Sequence, residues 1–375
     1  MKKMSKVVLA FASIFALVGC GGQNNGGETT ETIENAAAVK KLQTVTEEMG
    51  KAAGFKVEGK ESLSVSLKQA DYKDTDNKDV EGGSLELTST GNFNLELLLE
   101  EAMPKAGKAT ASITTDASGS EISGHADVAA EAYLKEGYVY AKSTVTTPAE
   151  KEGDDPVVEE NKTGMNIAPI FEDIKGTLDN LEGKKPSDII NMIPDLSIDE
   201  EDAPKFDNAV NVVIANLPNC NLSTNKKTDT LSWKLTNADI ENIIDKYYAS
   251  TLPAPGETDL SEEDYNALVA STTAEATAIK TAVSSILKIN KAQFSISIYD
   301  EKYISGVALD LDVELNFAAS LGIFPSDTSI KVKASASSEI SLLDANYTIT
   351  FPEDLESWLP APDTDTDTGD NTTSE

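Results

Sequence analysis

The chain has no arginine, one histidine and two cysteines in 375 residues. Each shortage removes a class of chemistry. All 31 basic residues are lysine, so no planar guanidinium is available to clamp a phosphate or carboxylate in two-pronged fashion. A zinc centre needs several histidine or cysteine ligands, which rules it out. His125 sits in a stretch whose apolar positions are Ile122, Ala126, Val128, Ala130 and Leu134. That places it on the wet side of a strand, and no G-x-S-x-G elbow accompanies it to build a Ser-His-Asp relay. No phosphate-cradling P-loop is present, and no G-x-G-x-x-G opens a helix. Enzymatic activity and a cofactor are therefore not expected. Positive charge is scarce as well: net charge is −33, and outside the first six residues 28 lysines face 64 acids, a balance of −36. Such a surface repels nucleic acid and anionic lipid headgroups.

Long apolar runs are missing too, except at the start. Lys2, Lys3 and Lys6 precede an apolar core from Val7 to Leu17. The core is too short for a membrane span, which takes about 20 apolar residues, and the layout is that of a secretory signal. It ends in Leu17, Val18, Gly19 and Cys20, which resembles the bacterial lipobox. The resemblance implies that residues 1–19 are removed and that a diacylglyceryl group on Cys20 holds the chain to a membrane outside the cytoplasm. Two acyl chains bind stably where one binds marginally. Residues 20–33, opening with Gly21, Gly22, Gln23, Asn24, Asn25, Gly26 and Gly27, read as a flexible tether. With Cys20 acylated, Cys220 has no disulfide partner. It lacks a basic neighbour to activate it and reads as a structural thiol.

Periodicity organises the rest. Val39, Leu42, Val45 and Met49 keep helical spacing within Glu34 to Lys51. The period then becomes two: Leu63, Val65 and Leu67; Leu85, Leu87, Phe93, Leu95, Leu97 and Leu99; Ala109, Ala111 and Ile113; Ile122 to Leu134; and Tyr138 to Ala141. Residues 147–165 read as a polar loop. Helical stripes follow at Ile167 to Leu181, at Ile189 to Ile193 after a Ser187 cap, and at Phe206 to Leu217. Two short strands lie around Leu222 and over Leu231 to Leu235. Thr236 with Asp239 reads as a capping box, and Ser261 caps a long helix through Ile286. Four final strands are expected at Phe294 to Ile298, Val307 to Phe317, Ile330 to Ala334 and Ala345 to Phe351. Asp363, Asp365, Asp367 and Asp370 look superficially like a calcium loop. The sixth and twelfth positions are Thr368 and Ser374 where an EF-hand needs Gly and Glu, so this is a solvated tail. Asp199 to Asp202 reads as a charged loop, and no acid pair for glycoside hydrolysis can be singled out.

About eleven one-sided antiparallel strands with helices between their groups predict an α+β fold. It is an open, curved antiparallel sheet, a half-barrel, covered by helices on its concave side. The pattern resembles the lipoprotein-carrier class of periplasmic and cell-surface lipoproteins, the LolA/LolB and LppX/LprG type. The carrying residues are Cys20, the Ala132 to Tyr140 hairpin, the strand-to-helix passage Leu235 to Ile240, and the ending at Phe351-Pro352. The resemblance spans roughly residues 34–358 and implies a half-barrel closed by helices around a lipid-binding cavity. Residues 34–358 then form one domain, and 359–375 an acidic tail. Leu85, Leu87, Phe93, Leu95, Leu97, Leu309, Leu311 and Val313 are the expected cavity lining. The function expected is non-enzymatic binding or carriage of a lipid or other apolar ligand. Two alternatives stand beside it: an envelope interaction protein with a fully packed core and an unidentified protein partner, and a hydrolase without a recognisable motif.

Overall fold

The structure, a computed structural model, describes residues 29–73, 76–100, 103–120, 123–149, 155–167, 184–191, 198–254 and 260–359. Leu17 to Cys20, the glycine-rich start of the tether, the stripe from Ile170 to Leu181 and the acidic tail lie outside the described residues. Strands β1 to β14 are Thr29–Ile33, Gly54–Gln69, Tyr72–Lys73, Asp79–Val80, Ser84–Glu100, Met103–Gly119, Ser123–Lys135, Tyr138–Thr147, Val157–Asn166, Cys220–Asn225, Thr228–Lys234, Leu287–Tyr299, Tyr303–Phe317 and Thr328–Leu342. Helices α1 to α5 are Asn35–Met49, Pro186–Ile190, Ala203–Ala215, Asn237–Ser250 and Glu262–Ile286.

Twelve strands form one antiparallel sheet in the order β1-β10-β11-β12-β13-β14-β2-β5-β6-β7-β8-β9, and β3 pairs with β4 in a small hairpin. The expected α+β half-barrel, covered by helices on its concave side, is thereby corrected. The fold is mainly β, and the described helices pack at one part of the sheet. Helix α1 and helix α5 lie against β12 and β13, while α2, α3 and α4 pack in series on one another and on α5.

Register carries one face through the whole sheet. Opposite residues in antiparallel strands share a face. Leu222 pairs with Leu231, Leu231 with Ile296, Ile296 with Val307, and Leu309 with Ala336. The series continues through Ile340 with Val57, Val57 with Leu95, Leu95 with Ala109, Ala109 with Ala132, and Ala132 with Ala141. This is the apolar face. Its neighbours in sequence make the polar face: Thr230 with Ser297, Asp312 with Lys333, Glu96 with Lys108, and Asp116 with His125. Helix α1 covers the apolar face: Ala38, Val45 and Met49 close over Cys220, Leu231, Ile298 and Ile304. Trp233 Nε1 donates to Asn35 Oδ1 (2.8 Å), fixing the start of α1 to β11.

The sheet curls toward its polar face. A hollow of about 1250 Å³ is lined from Ser223 on β10 to Ser112 on β6, across eight consecutive strands. Laid flat, those two strands would stand roughly 34 Å apart at the ordinary strand spacing. One-sided strands do not by themselves fix the direction of curl, and the expectation took the apolar side to be the inner one.

Residues 157–166, expected as part of a loop, are β9, an edge strand with Val157, Val158 and Met165 exposed. Thr29–Ile33, expected as tether, pairs with β10. Ala345 to Phe351, expected as a strand, is instead part of a strap with no ladder pairing that crosses the polar face. Leu343 N–H donates to Gly54 (2.9 Å), and Asp354 meets Lys162 at 3.2 Å on the far edge. The strap ends in a second core in which Leu355 and Trp358 are buried with Tyr133 and Tyr140.

Candidate functional site

Two hollows lie on opposite faces of the sheet. The first is an apolar groove of about 520 Å³ crossing β5 to β9. Its floor is a run of alanines brought together by register: Ala109 opposite Ala132, Ala111 opposite Ala130, and Ala132 opposite Ala141. The methyl groups leave a trough, with Phe93 and Leu95 on one side and Ser143, Asn161 and Thr163 on the other. Glu131 and Lys142 border the groove only through their backbone positions. By register their side chains belong to the polar face, where Glu131 accepts from Tyr133 Oη (2.8 Å) and Lys142 pairs with Glu160 (2.8 Å). The Tyr133 phenol is pushed up to about 12, by burial first and by the Glu131 carboxylate second.

Phe93 is seated by Gly59. A methyl group placed on Gly59 would come within 2.2 Å of the Phe93 ring and 2.8 Å of the Ser337 carbonyl. The bare backbone at Gly59 lets the ring lie flat across β2, which supports one wall of the groove.

The expected cavity residues divide. All eight lie on the apolar face by register. Phe93 and Leu95 line the groove. Leu97 is buried, and a methyl on Gly107 would touch it at 3.0 Å. Leu85 is exposed and Leu87 half-buried, beyond the end of the trough. Leu309, Leu311 and Val313 are on β13, the strand against which α1 and α5 pack, and do not join the groove. The alanines that make its floor were legible as strand positions. Their meeting in one trough depends on the β6, β7 and β8 register, which periodicity alone does not supply.

The second hollow is the one on the polar face. Its lining includes Thr230, Gln293, Ser295, Ser297 and Ser337, together with Glu58, Lys60 and Glu339. Ser295 is only 8% exposed, and Thr230 and Ser297 are joined across β11 and β12 at 3.1 Å. Further along the same face charges occur in cross-strand pairs: Lys291 with Asp310, Lys333 with Asp312 (3.3 Å), and Lys331 with Glu314 (3.5 Å).

Other reactive side chains are accounted for locally. Cys220 is fully buried and burial pushes its thiol up, so it is held as an inert thiol. His125 lies exposed on the polar face between Asp116 (2.7 Å) and Asp127 (3.3 Å). Among the described residues no group of three metal-ligating side chains converges. No described helix is long and apolar enough to cross a membrane.

No family model matches the chain, and no curated protein matches it. Among solved structures, it is similar to the translocator domain of the autotransporter NalP from Neisseria meningitidis, at 7% identity and a TM-score of 0.18, covering 81% of this chain and 95% of that one. It is also similar to the outer membrane protein OprG from Pseudomonas aeruginosa, at 6% identity and a TM-score of 0.14, covering 78% and 98%. Likenesses this slight carry no inference about place or activity.

Proposed function

We propose that the chain is a lipid-anchored envelope protein that binds an acyl chain in the alanine-floored groove. The carrying observation is the groove itself. Its volume of about 520 Å³ falls within the ordinary range of ligand pockets, roughly 300–1,000 Å³. Its floor is methyl groups, its wall is Phe93 and Leu95, and no charged side chain turns into it. Each methylene of a bound chain would contribute about 0.8 kcal/mol of transfer free energy, so a long chain is favoured over a short one. The lipobox at Cys20 supports the same reading by keeping the groove within reach of a bilayer.

The test is displacement of a fluorescent long-chain fatty acid from the full-length protein, with Ala132→Trp and Ala111→Trp as blocked variants. An indole on either alanine fills the trough from a half-exposed position, so both variants keep the fold. Binding by the unaltered protein and a loss of at least about tenfold in each variant (~1.4 kcal/mol) is the expected result. Equal binding by all three would overturn the assignment of the groove. The anchor is tested separately: Cys20→Ala leaves the protein in the soluble fraction, and complete membrane retention of that variant would contradict acylation.

A further inference from the structure

The polar hollow is unlike the rest of this protein. The chain carries 64 acids against 31 lysines, yet 15 of the 25 residues lining the hollow are serine, threonine, asparagine or glutamine, with Glu58, Lys60 and Glu339 as its only charges. Glu58 is held by Lys56 at 2.7 Å. The charges further along the face are cancelled in cross-strand pairs. An anion entering here meets one lysine, and a cation finds far more acid elsewhere. What the lining does supply in quantity is hydroxyl and amide groups, each of which both donates and accepts. Asn94, on its wall, keeps a buried Oδ1 with no hydrogen-bond partner among the described residues. The hollow crosses eight strands, so it is long as well as polar, and the strap runs beside it over Lys56 and Glu96.

We infer that this hollow binds an uncharged sugar chain bearing hydroxyl and acetamido groups, at a site on the opposite face of the sheet from the apolar groove, with Phe93, Asn94, Thr110 and Ala111 bordering both. The sugar's hydroxyls exchange hydrogen bonds with Thr230, Ser295, Ser297 and Ser337, and its acetamido groups pair with the amides of Gln293 and Asn92. Length along the hollow gives several sugar rings contact at once, without any ionic contact.

The experiment is a calorimetric titration of the full-length protein with the tetramer of N-acetylglucosamine, read together with hydrogen-exchange protection. Tetragalacturonate and tetralysine serve as charged comparators. The expected result is binding of the neutral tetramer, protection concentrated on β12, β14 and β2, and weakening by at least about tenfold in Ser337→Phe and Gln293→Phe, the equivalent of losing one or two neutral hydrogen bonds. No binding of the tetramer, protection elsewhere on the molecule, or equal binding of either charged comparator would overturn the inference. If a phenylalanine variant loses its cooperative melt, the protection pattern of the unaltered protein decides alone. Retained fatty-acid binding in the same samples separates this result from the fate of the groove.

Discussion

At the residue scale the lone histidine gives the clearest pH prediction. The Asp116 and Asp127 carboxylates beside His125 raise its imidazole above the ordinary histidine range, with Asp116 the larger cause. Asp127 is lowered, by the Thr114 hydroxyl first and by His125 second. The signs follow from linkage. The histidine contribution is fully present below the unfolded value near ~6.5 and is lost as pH rises through the higher folded value. The Asp127 contribution is present above the unfolded carboxylate value and is lost as pH falls through its lower folded one. This cross-strand cluster therefore holds β6 to β7 best in mildly acidic solution. Because His125 is the only histidine, its ring protons can be followed by NMR without assignment. Their midpoint should lie above that of the same chain in urea, and coincident midpoints would contradict the cluster. The wet-side position of His125 was legible from the even-numbered apolar residues of its strand. The partnership with Asp116 was not, because it needs the β6–β7 register.

At the element scale, Thr236 and the strap make the contrast. Thr236 Oγ1 accepts from the Asp239 N–H (3.3 Å) and Thr236 N–H donates to Asp239 (2.8 Å). This is the capping box expected from spacing alone, since a cap is a local device of four residues. Thr236→Ala should lower stability by about 1 kcal/mol in urea melts, with the Asp239→Asn variant intermediate. Ser187 was read as a cap as well, but its hydroxyl and N–H both donate to the buried Asp207 on α3 (2.9 and 2.8 Å). The strap carries the alternation of a strand, with Ala345, Tyr347, Ile349 and Phe351 at every second position, yet pairs with no ladder. Its alternation serves a crossing of the polar face, ending where Trp358 meets Tyr133 edge-on at 5.9 Å and Lys162 lies 5.3 Å from the Trp358 ring centre. Trp358 is 4% exposed. Trp358→Ala should cost about 3 kcal/mol and loosen β7 to β9 in hydrogen exchange, while β10 to β13 keep their protection. Uniform loosening of the sheet would contradict the strap as a separate clasp.

At the scale of the whole molecule, alternation told which residues share a face but not which face turns inward. Leu309, Leu311 and Val313 have the same pattern as Phe93 and Leu95, yet α1 and α5 pack on the strand of the first three while the last two wall an open groove. That difference is set by partners far away in sequence, such as Met49 against Ile304, where the Ile304 N–H meets the Met49 sulfur at 3.2 Å. The polar hollow was hidden for the same reason, since Ser223 and Ser112 meet in one space only once eight strands have curled together. The central claim, an acyl chain lying across the alanine floor, is tested most directly by photocrosslinking. A long-chain fatty acid carrying a diazirine near its tail, irradiated on the full-length protein, should label peptides of β6, β7 and β8 containing Ala109, Ala111, Ala130, Ala132 and Ala141. Labelling confined to the polar face or to the helices, or no labelling at all, would contradict the account.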